Sequence, residues 1–236
     1  MKILQVNASY KPAYVYGGPT RSVSKLSEEL IKSGCNTSVF TTTANGLHEL
    51  PITVSPILVD GVPVHYFKRL TKDHSHFSPA LLLAVWKQVK KFDAVHIHAW
   101  WNTVSVLSCL IALTRGVPVI ISPRGTLSAY SFQNKNSFYK KCIHYLLGEG
   151  LLKRGYIHVT SAHEKSRLLK VITPSRFFVI PNFVQLPDDY LSKPNKQGDK
   201  LKLLFLSRVE EKKGLDILLR ALPQITAPYH LTIDRK

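Results

Sequence analysis

Residues 94–122 read AVHIHAWWNTVSVLSCLIALTRGVPVIIS and indicate the fold class most clearly. Ala94–Ala99 and Val117–Ser122 are apolar runs of strand length, and Val104–Arg115 between them is an apolar run of helical length. A helical crossover is the usual connection between two parallel strands of one sheet. The stretch therefore predicts a parallel βαβ unit.

The same alternation of short apolar runs and helical segments continues on both sides of this unit. The predicted strands are Lys2–Ser9, Thr37–Thr43, a short strand that follows Gly61-Val62-Pro63 and ends at Phe67, Tyr156–Ser161 and Phe177–Pro181; the predicted helices are Pro19–Ser33, Leu81–Phe92, Phe138–Arg154 and Glu164–Ile172. This order predicts an α/β fold with a doubly wound, Rossmann-like parallel sheet.

The polar segment Leu186–Lys200, which has two prolines, three aspartates and one glycine, interrupts the alternation and is typical of a linker. After it the pattern resumes with a strand at Lys202–Ser207, a helix at Gly214–Ile225 and a strand at His230–Ile233. The predicted domains are an N-terminal Rossmann-like domain over 1–186, a linker over 187–200, and the first βαβ of an incomplete second domain over 201–236.

The chain is strongly basic, with a formal net charge of +17 and a pI near 9.9. Such a charge favours a polyanionic partner: nucleic acid, an anionic membrane or a phosphorylated substrate. Residues 135–176 carry nine lysines and arginines against two glutamates, with leucine and aromatic residues between them. Two interpretations stay open for this segment: helices lying on acidic lipid, and core-facing helices with a solvated basic side. No sequence motif for specific nucleic-acid binding is found.

The cysteines and the apolar runs bear on the compartment. Cys35, Cys109 and Cys142 are odd in number and include no Cys-x-x-Cys, which favours a reducing environment over a disulfide framework or a zinc site. No secretory signal is evident, and the longest uncharged apolar stretch, Thr103–Thr114, is shorter than the ~20 residues of a membrane span. We expect a cytoplasmic protein, either free or peripheral on the inner face of the membrane.

Polar residues follow the predicted strands, and ligands of open α/β sheets bind at the carboxyl ends of the strands. These residues are Asn7, Ser9, His98, Ser122, Arg124, Gly125, Ser161, His163, Asn182, Ser207 and Arg208. His98 and Arg124 stand in apolar surroundings, which favours a role in a cleft. His96 lies on the same strand face as His98, but we expect it to pack in the core. No third ligand accompanies these histidines, so no metal site is predicted.

Two strand–helix junctions have features that suit phosphate. Gly17-Gly18-Pro19-Thr20 precedes the first helix, where glycines allow close approach of a phosphate and the helix offers unpaired N–H groups. Gly-x-Gly-x-x-Gly is absent, which disfavours a nicotinamide dehydrogenase. At the second junction, Arg208 and Lys213 could stabilise the charge on a departing diphosphate without a metal.

Several motifs occur in the order of one known family. They are Gly17-Gly18, Asp93-Ala94-Val95-His96-Ile97-His98, Thr160-Ser161-Ala162-His163-Glu164, Val179-Ile180-Pro181-Asn182, and Leu206-Ser207-Arg208-Val209 followed by Lys213-Gly214-Leu215-Asp216. The set resembles glycosyltransferase family 4, the retaining enzymes of the GT-B fold.

The resemblance implies transfer of a sugar from a nucleotide-sugar donor to a glycan or lipid-linked acceptor, in cell-surface polysaccharide synthesis and without a metal or other cofactor. It implies donor binding by Gly17, Gly18, Asn182, Arg208 and Lys213. It also implies catalytic roles for His98 and Arg124, with the acceptor mainly on the first domain.

The chain departs from the family pattern in three places. Ser122-Pro123-Arg124-Gly125 stands where the family often has Thr-x-His-Gly, and Phe183 stands where glycine is usual. The family's Glu-x₇-Glu motif does not occur after Ile233, so we expect a truncated chain with little activity of its own. The alternative is a basic α/β module that binds an anionic membrane or nucleic acid without catalysis. The signature motifs of a nucleotide-sugar epimerase or a hydrolase are absent from this sequence, which disfavours both classes.

Overall fold

The computed structural model describes residues 1–127, 147–184, 200–207, 209 and 211–234. The chain divides into two compact units, Met1–Val184 and Gln185–Lys236. The predicted linker over 187–200 lies outside the described residues, apart from Lys200. The predicted domain bounds therefore stay predictions.

The first unit is built on an eight-stranded, mostly parallel sheet. Its strands are β1 Lys2–Val6, β2 Asn36–Thr42, β5 Ile57–Val59, β6 Val62–Phe67, β7 Ala94–His98, β8 Val119–Ser122, β9 Tyr156–Val159 and β10 Phe177–Val179. Their order across the sheet is β10-β9-β8-β7-β1-β2-β6-β5, and β5–β6 is the one antiparallel pair among them. The predicted α/β class with a parallel sheet is confirmed.

Five described α-helices accompany this sheet: α1 Gly18–Lys32, α2 Pro79–Gln88, α3 Thr103–Thr114, α4 Glu149–Arg154 and α5 Ala162–Leu169. Side-chain caps fix three of their starts, because Ser78, Asn102 and Ser161 each accept a hydrogen bond from a backbone N–H in the first turn of α2, α3 and α5. Helix α1 has no side-chain cap. Of the helix predicted over Phe138–Arg154, residues 138–146 lie outside the described residues.

Side chains from both faces of the sheet are buried, which explains why its strands are apolar throughout. Leu4 and Val6 of β1 belong to a large core cluster that also contains Val85 of α2 and Cys109 of α3. A smaller cluster forms around Val23 of α1 and side chains of β2 and β6. Each fully buried aliphatic side chain contributes about 1.5–3 kcal/mol, so these clusters hold the frame that positions the strand ends.

Two hairpins were not predicted. Strand β5 pairs with β6 through the turn Asp60-Gly61, where both residues have positive φ (50° and 79°). An Asp-Gly pair between apolar runs is a recognised hairpin signal, so this hairpin was within reach of the sequence. Short strands β3 (Ala44–Asn45) and β4 (His48–Glu49) form the other.

The second unit contains the predicted βαβ. Strands β11 (Leu201–Leu206) and β12 (Tyr229–Asp234) pair in parallel, and α6 (Leu215–Ala221) connects them. In either unit, no described helix combines the length and apolarity needed to cross a bilayer.

Candidate functional site

A cavity of about 410 Å³ opens in the first unit at the carboxyl ends of the strands. Its walls come from the first half of α1, the loops after β8, β9 and β10, and α5. The lining residues are Gly18, Pro19, Ser22, Arg124, Gly125, Leu127, Thr160, Ser161, His163, Glu164, Arg167 and Asn182. Of the predicted site residues, the structure thus brings Gly18, Arg124 and Asn182 together.

Arg124 connects three parts of this site. Its Nε donates to Nδ1 of His98 (3.2 Å), and its Nη1 donates to Oγ of Ser22 and to Oδ1 of Asn182 (2.8 Å each). Its backbone is in the left-handed region (φ 51°), as is that of Gly125 (φ 75°). Such a conformation is uncommon for a residue with a side chain. Burial lowers the pKa of Arg124 to about 10, and the guanidinium stays charged at neutral pH.

His98 lies beneath the cavity and not on its wall. Its side chain is 0% exposed, and it is not among the lining residues. Because Nδ1 accepts from Arg124, the ring proton sits on Nε2, which donates to Oε1 of Gln5 (2.5 Å). Burial, with the positive charge of Arg124 as a smaller cause, holds the pKa of His98 well below its usual value. The predicted cleft position of His98 is corrected: it reaches the cavity only through Arg124.

His96 is likewise part of a hydrogen-bonded network, not an isolated core residue. His158 Nε2 donates to the carbonyl of Ile180 (2.8 Å), so Nδ1 of His158 accepts from Oγ of Ser122 (2.6 Å). Ser122 in turn accepts from Nε2 of His96 (2.7 Å). Burial lowers the pKa of His96 to about 3, with the neighbouring His158 a smaller cause. His96 is therefore neutral at ordinary pH.

A second cavity, of about 400 Å³, adjoins the first on the face of the sheet that carries His96. Its lining is mainly apolar and includes Leu26, Ile120, Phe178 and Ile180. Ser22, Arg124 and Asn182 line both cavities. Arg124 therefore stands between a polar cavity and an apolar one.

Glu164 has a positioning role that was not predicted from the sequence. Its Oε1 accepts from the backbone N–H of Gly125 (2.7 Å), and its Oε2 accepts from the N–H and the hydroxyl of Thr160 (2.7 Å each). The carboxylate thus joins the loop after β8 to the loop after β9. The spacing Ser161-x-x-Glu164 is that of a capping box and could have drawn attention to this residue.

The start of α1 leaves room for a ligand. Gly17 precedes the helix with φ 71°, and no side chain caps the first turn. A Cβ atom added to Gly18 would meet nothing within 4 Å. Gly17 itself does not line the cavity. The predicted close approach of a phosphate at Gly18 is therefore sterically possible.

The other predicted donor contacts are in the second unit. Lys213 is exposed there, and Arg208 lies outside the described residues. Among the residues that the structure describes, no group of three histidine, cysteine, aspartate or glutamate side chains could hold a metal ion.

Comparisons with known proteins agree on the fold. The HepE protein of Anabaena, solved in complex with UDP, has a TM-score of 0.66 and 18% identity, over 100% of this chain and 62% of that one. Sucrose-phosphate synthase of Thermosynechococcus elongatus has a TM-score of 0.64 and 17% identity, over 98% of this chain and 61% of that one. At these identities the likeness shows the GT-B fold alone.

Sequence comparisons are more specific. A phosphatidylinositol N-acetylglucosaminyltransferase subunit of Arabidopsis thaliana is 22% identical over 233 residues, which make up 97% of this chain and 50% of that protein. The chain thus spans about half the length of the curated relatives it matches. The family model described as Glycosyltransferase Family 4 matches residues 16–187. Because this match covers well over half of the chain, the protein belongs to glycosyltransferase family 4.

Proposed function

We propose that the chain takes part in transferring a sugar, with retention at the anomeric carbon, from a nucleotide-sugar to a glycan or lipid-linked acceptor. Synthesis of cell-surface polysaccharide on the cytoplasmic side of the membrane is the proposed setting. One observation carries the proposal: the uncapped start of α1 at Gly18, the guanidinium of Arg124 and the amide of Asn182 line one cavity at the carboxyl ends of the strands. Family membership supports glycosyl transfer as the chemistry.

The donor diphosphate has two proposed sets of contacts. On the first unit, the N–H groups at the start of α1 offer a partial positive charge, and Gly18 allows close approach. On the second unit, Arg208 and Lys213 are the proposed cations. These groups would stabilise the negative charge that builds up on the leaving diphosphate.

The acceptor has its proposed place beside Arg124. Neutral His98 accepts from Nε of this arginine, and Asn182 accepts from Nη1. Contacts with both sides limit how the guanidinium can move, and such preorganisation is a large part of electrostatic catalysis. We therefore assign catalysis to Arg124 and positioning to His98.

Saturation-transfer NMR on the whole chain tests the donor site, because the method detects millimolar binding. The probes are UDP-glucose, UDP-N-acetylglucosamine and GDP-mannose. The wild type is expected to transfer saturation to at least one of them. Gly18→Leu should abolish the signal, since its side chain would enter the cavity without meeting protein atoms.

Gly150→Leu is the matched control, because Gly150 is also an exposed residue with no atom within 4 Å of an added Cβ, yet it lies away from the cavity. It should leave the signal intact. Absence of signal from every nucleotide-sugar, or an equal signal in Gly18→Leu, would contradict the proposal.

A further inference from the structure

Arg124 has hydrogen-bonding capacity that the protein leaves unused. Arginine carries five N–H donors. Three of them go to neutral acceptors, on His98, Ser22 and Asn182. No acceptor for Nη2 is seen among the described residues, so two N–H groups remain for a ligand.

The charge of Arg124 is also not neutralised by a direct ion pair. Within the described part of the chain, Arg124 forms no ion pair. The negative charge of Glu164 acts on Arg124 and raises its pKa. The two carboxylate oxygens of Glu164, however, already accept hydrogen bonds from Gly125 and Thr160. A partly buried cation without a counter-ion is unfavourable. A ligand that supplies an anion would therefore be bound more strongly than a neutral one.

The rest of the cavity suits an anion with several oxygens. Arg167 on α5 lines the same cavity and is exposed, so the lining has two guanidinium groups against the one carboxylate of Glu164. The cavity thus has cationic donors from the loop after β8 and from α5, besides the N–H groups at the start of α1, which we assign to the donor diphosphate. A phosphate has more acceptor oxygens than a carboxylate and a larger negative charge, so it gains more from two guanidinium groups.

We propose that this cavity binds a phosphate group carried by the acceptor, and that Arg124 determines the specificity for a phosphorylated over a neutral acceptor. The inference rests on the proposed function, since an acceptor exists only if the chain serves sugar transfer. We assign the phosphate to the acceptor because the N–H groups at the start of α1 are already assigned to the donor diphosphate, which leaves Arg124 and Arg167 for a second anion in the cavity.

Thermal unfolding of the whole chain at constant ionic strength tests the site. Glycerol phosphate, inorganic phosphate and acetate are each compared with chloride. At a concentration about ten times the dissociation constant, a bound ligand stabilises by about 1.4 kcal/mol and should raise the melting temperature by about 3–6 °C. We expect this shift with both phosphates and not with acetate. Any general stabilisation by phosphate as a salt would appear in every variant.

Arg124→Gln should lose the specific shift, and Arg176→Gln should keep it. Arg176 is a matched control because it is an arginine of the same unit that bonds to Tyr156 and does not line the cavity. If Arg124→Gln does not fold, exposed Arg167→Gln replaces it and should reduce the shift. A full shift in folded Arg124→Gln (or in Arg167→Gln, where it replaces Arg124→Gln), no shift in the wild type, or an equal shift with acetate would overturn the proposal.

Competition with UDP distinguishes an acceptor site from a donor site. The shift caused by glycerol phosphate should persist in the presence of UDP. If UDP abolishes it, the anion site belongs to the donor and the proposal is wrong. Failure of the proposed function has a different signature: the phosphate shift would remain dependent on Arg124, but the saturation-transfer signal from nucleotide-sugars would be missing.

Discussion

Residue by residue, the site depends on neutral histidines beside a charged arginine. The sequence indicated Arg124 and His98 because both follow apolar strands. It could not show that His98 is fully buried, because this depends on Gln5, 93 positions away, and on Arg124 above it. The hydrogen bond from Arg124 to Ser22, which are 102 positions apart, could not be predicted from local sequence patterns either. The residues of the cavity were thus partly predictable, and their contacts were not.

The buried state of His96 predicts a pH dependence of stability. An unfolded histidine titrates near 6.5, whereas burial lowers the pKa of His96 to about 3. As the pH falls below 6.5, the unfolded state takes up the proton first, so folding stability is lost between 6.5 and 3. From pH 7.5 to pH 5, His96 should contribute a loss of about 2 kcal/mol.

Urea unfolding at both pH values measures this loss. His96→Gln should show a smaller difference between the two pH values than the wild type. His163→Gln, which replaces an exposed histidine, should show the wild-type difference. The same pH dependence in His96→Gln as in the wild type would contradict the assignment of a neutral, buried His96.

Among the helices and strands, the order along the chain was predicted because hydrophobic periodicity is local. The strand at Ala94–His98 and the helix at Thr103–Thr114 agree with the prediction to within a residue or two. The order of strands across the sheet was not predicted, since placing β1 between β2 and β7 depends on contacts distant in sequence. The β5–β6 hairpin was missed because its signal is the turn pair Asp60-Gly61, which apolar periodicity does not reveal.

Because Glu164 connects the loops after β8 and β9, we predict that its substitution lowers the stability of the fold. Glu164→Gln removes the charge that three hydrogen bonds share, and hydrogen bonds to charged groups contribute about 1.5–3 kcal/mol each. An amide retains one acceptor oxygen. We therefore expect unfolding to become easier by about 1–2 kcal/mol, measured by urea unfolding.

Glu29→Gln is the control for this change. Glu29 pairs with Lys32 on the surface of α1, and a surface pair of this kind contributes about 0–1 kcal/mol. Its loss of stability should be smaller than that of Glu164→Gln. Equal effects of the two substitutions would show that Glu164 does not join the loops.

For the molecule as a whole, the net charge of +17 remains to be explained, and binding to an anionic membrane is our explanation. Residues 135–176 carry much of that charge, and their described part includes α4 and α5. In flotation assays the chain should bind vesicles containing phosphatidylglycerol and not vesicles of phosphatidylcholine. Binding should weaken with salt, because Coulomb attraction is screened.

A triple variant tests whether residues 135–176 contain the membrane-binding surface. We expect reduced flotation when three basic residues of this segment are replaced by glutamine: Lys153, Arg154 and Lys170. The control replaces three lysines in the region of α2, which removes the same charge and should reduce flotation less: Lys87, Lys90 and Lys91. Equal binding to both vesicle types, or equal effects of both variants, would count against a membrane role for residues 135–176.

We propose that the first unit provides one wall of a nucleotide-sugar site and that the remaining contacts come from outside this unit. The chain spans about half the length of its curated relatives. Phosphate contacts alone, of about 1.5–3 kcal/mol each, correspond to affinities near the millimolar range.

Isothermal titration of the chain with UDP, GDP and ADP is the decisive measurement. We expect weak binding that is similar for the three bases. Micromolar binding that discriminates between the bases would contradict this proposal, because a complete nucleotide pocket would then lie within these residues.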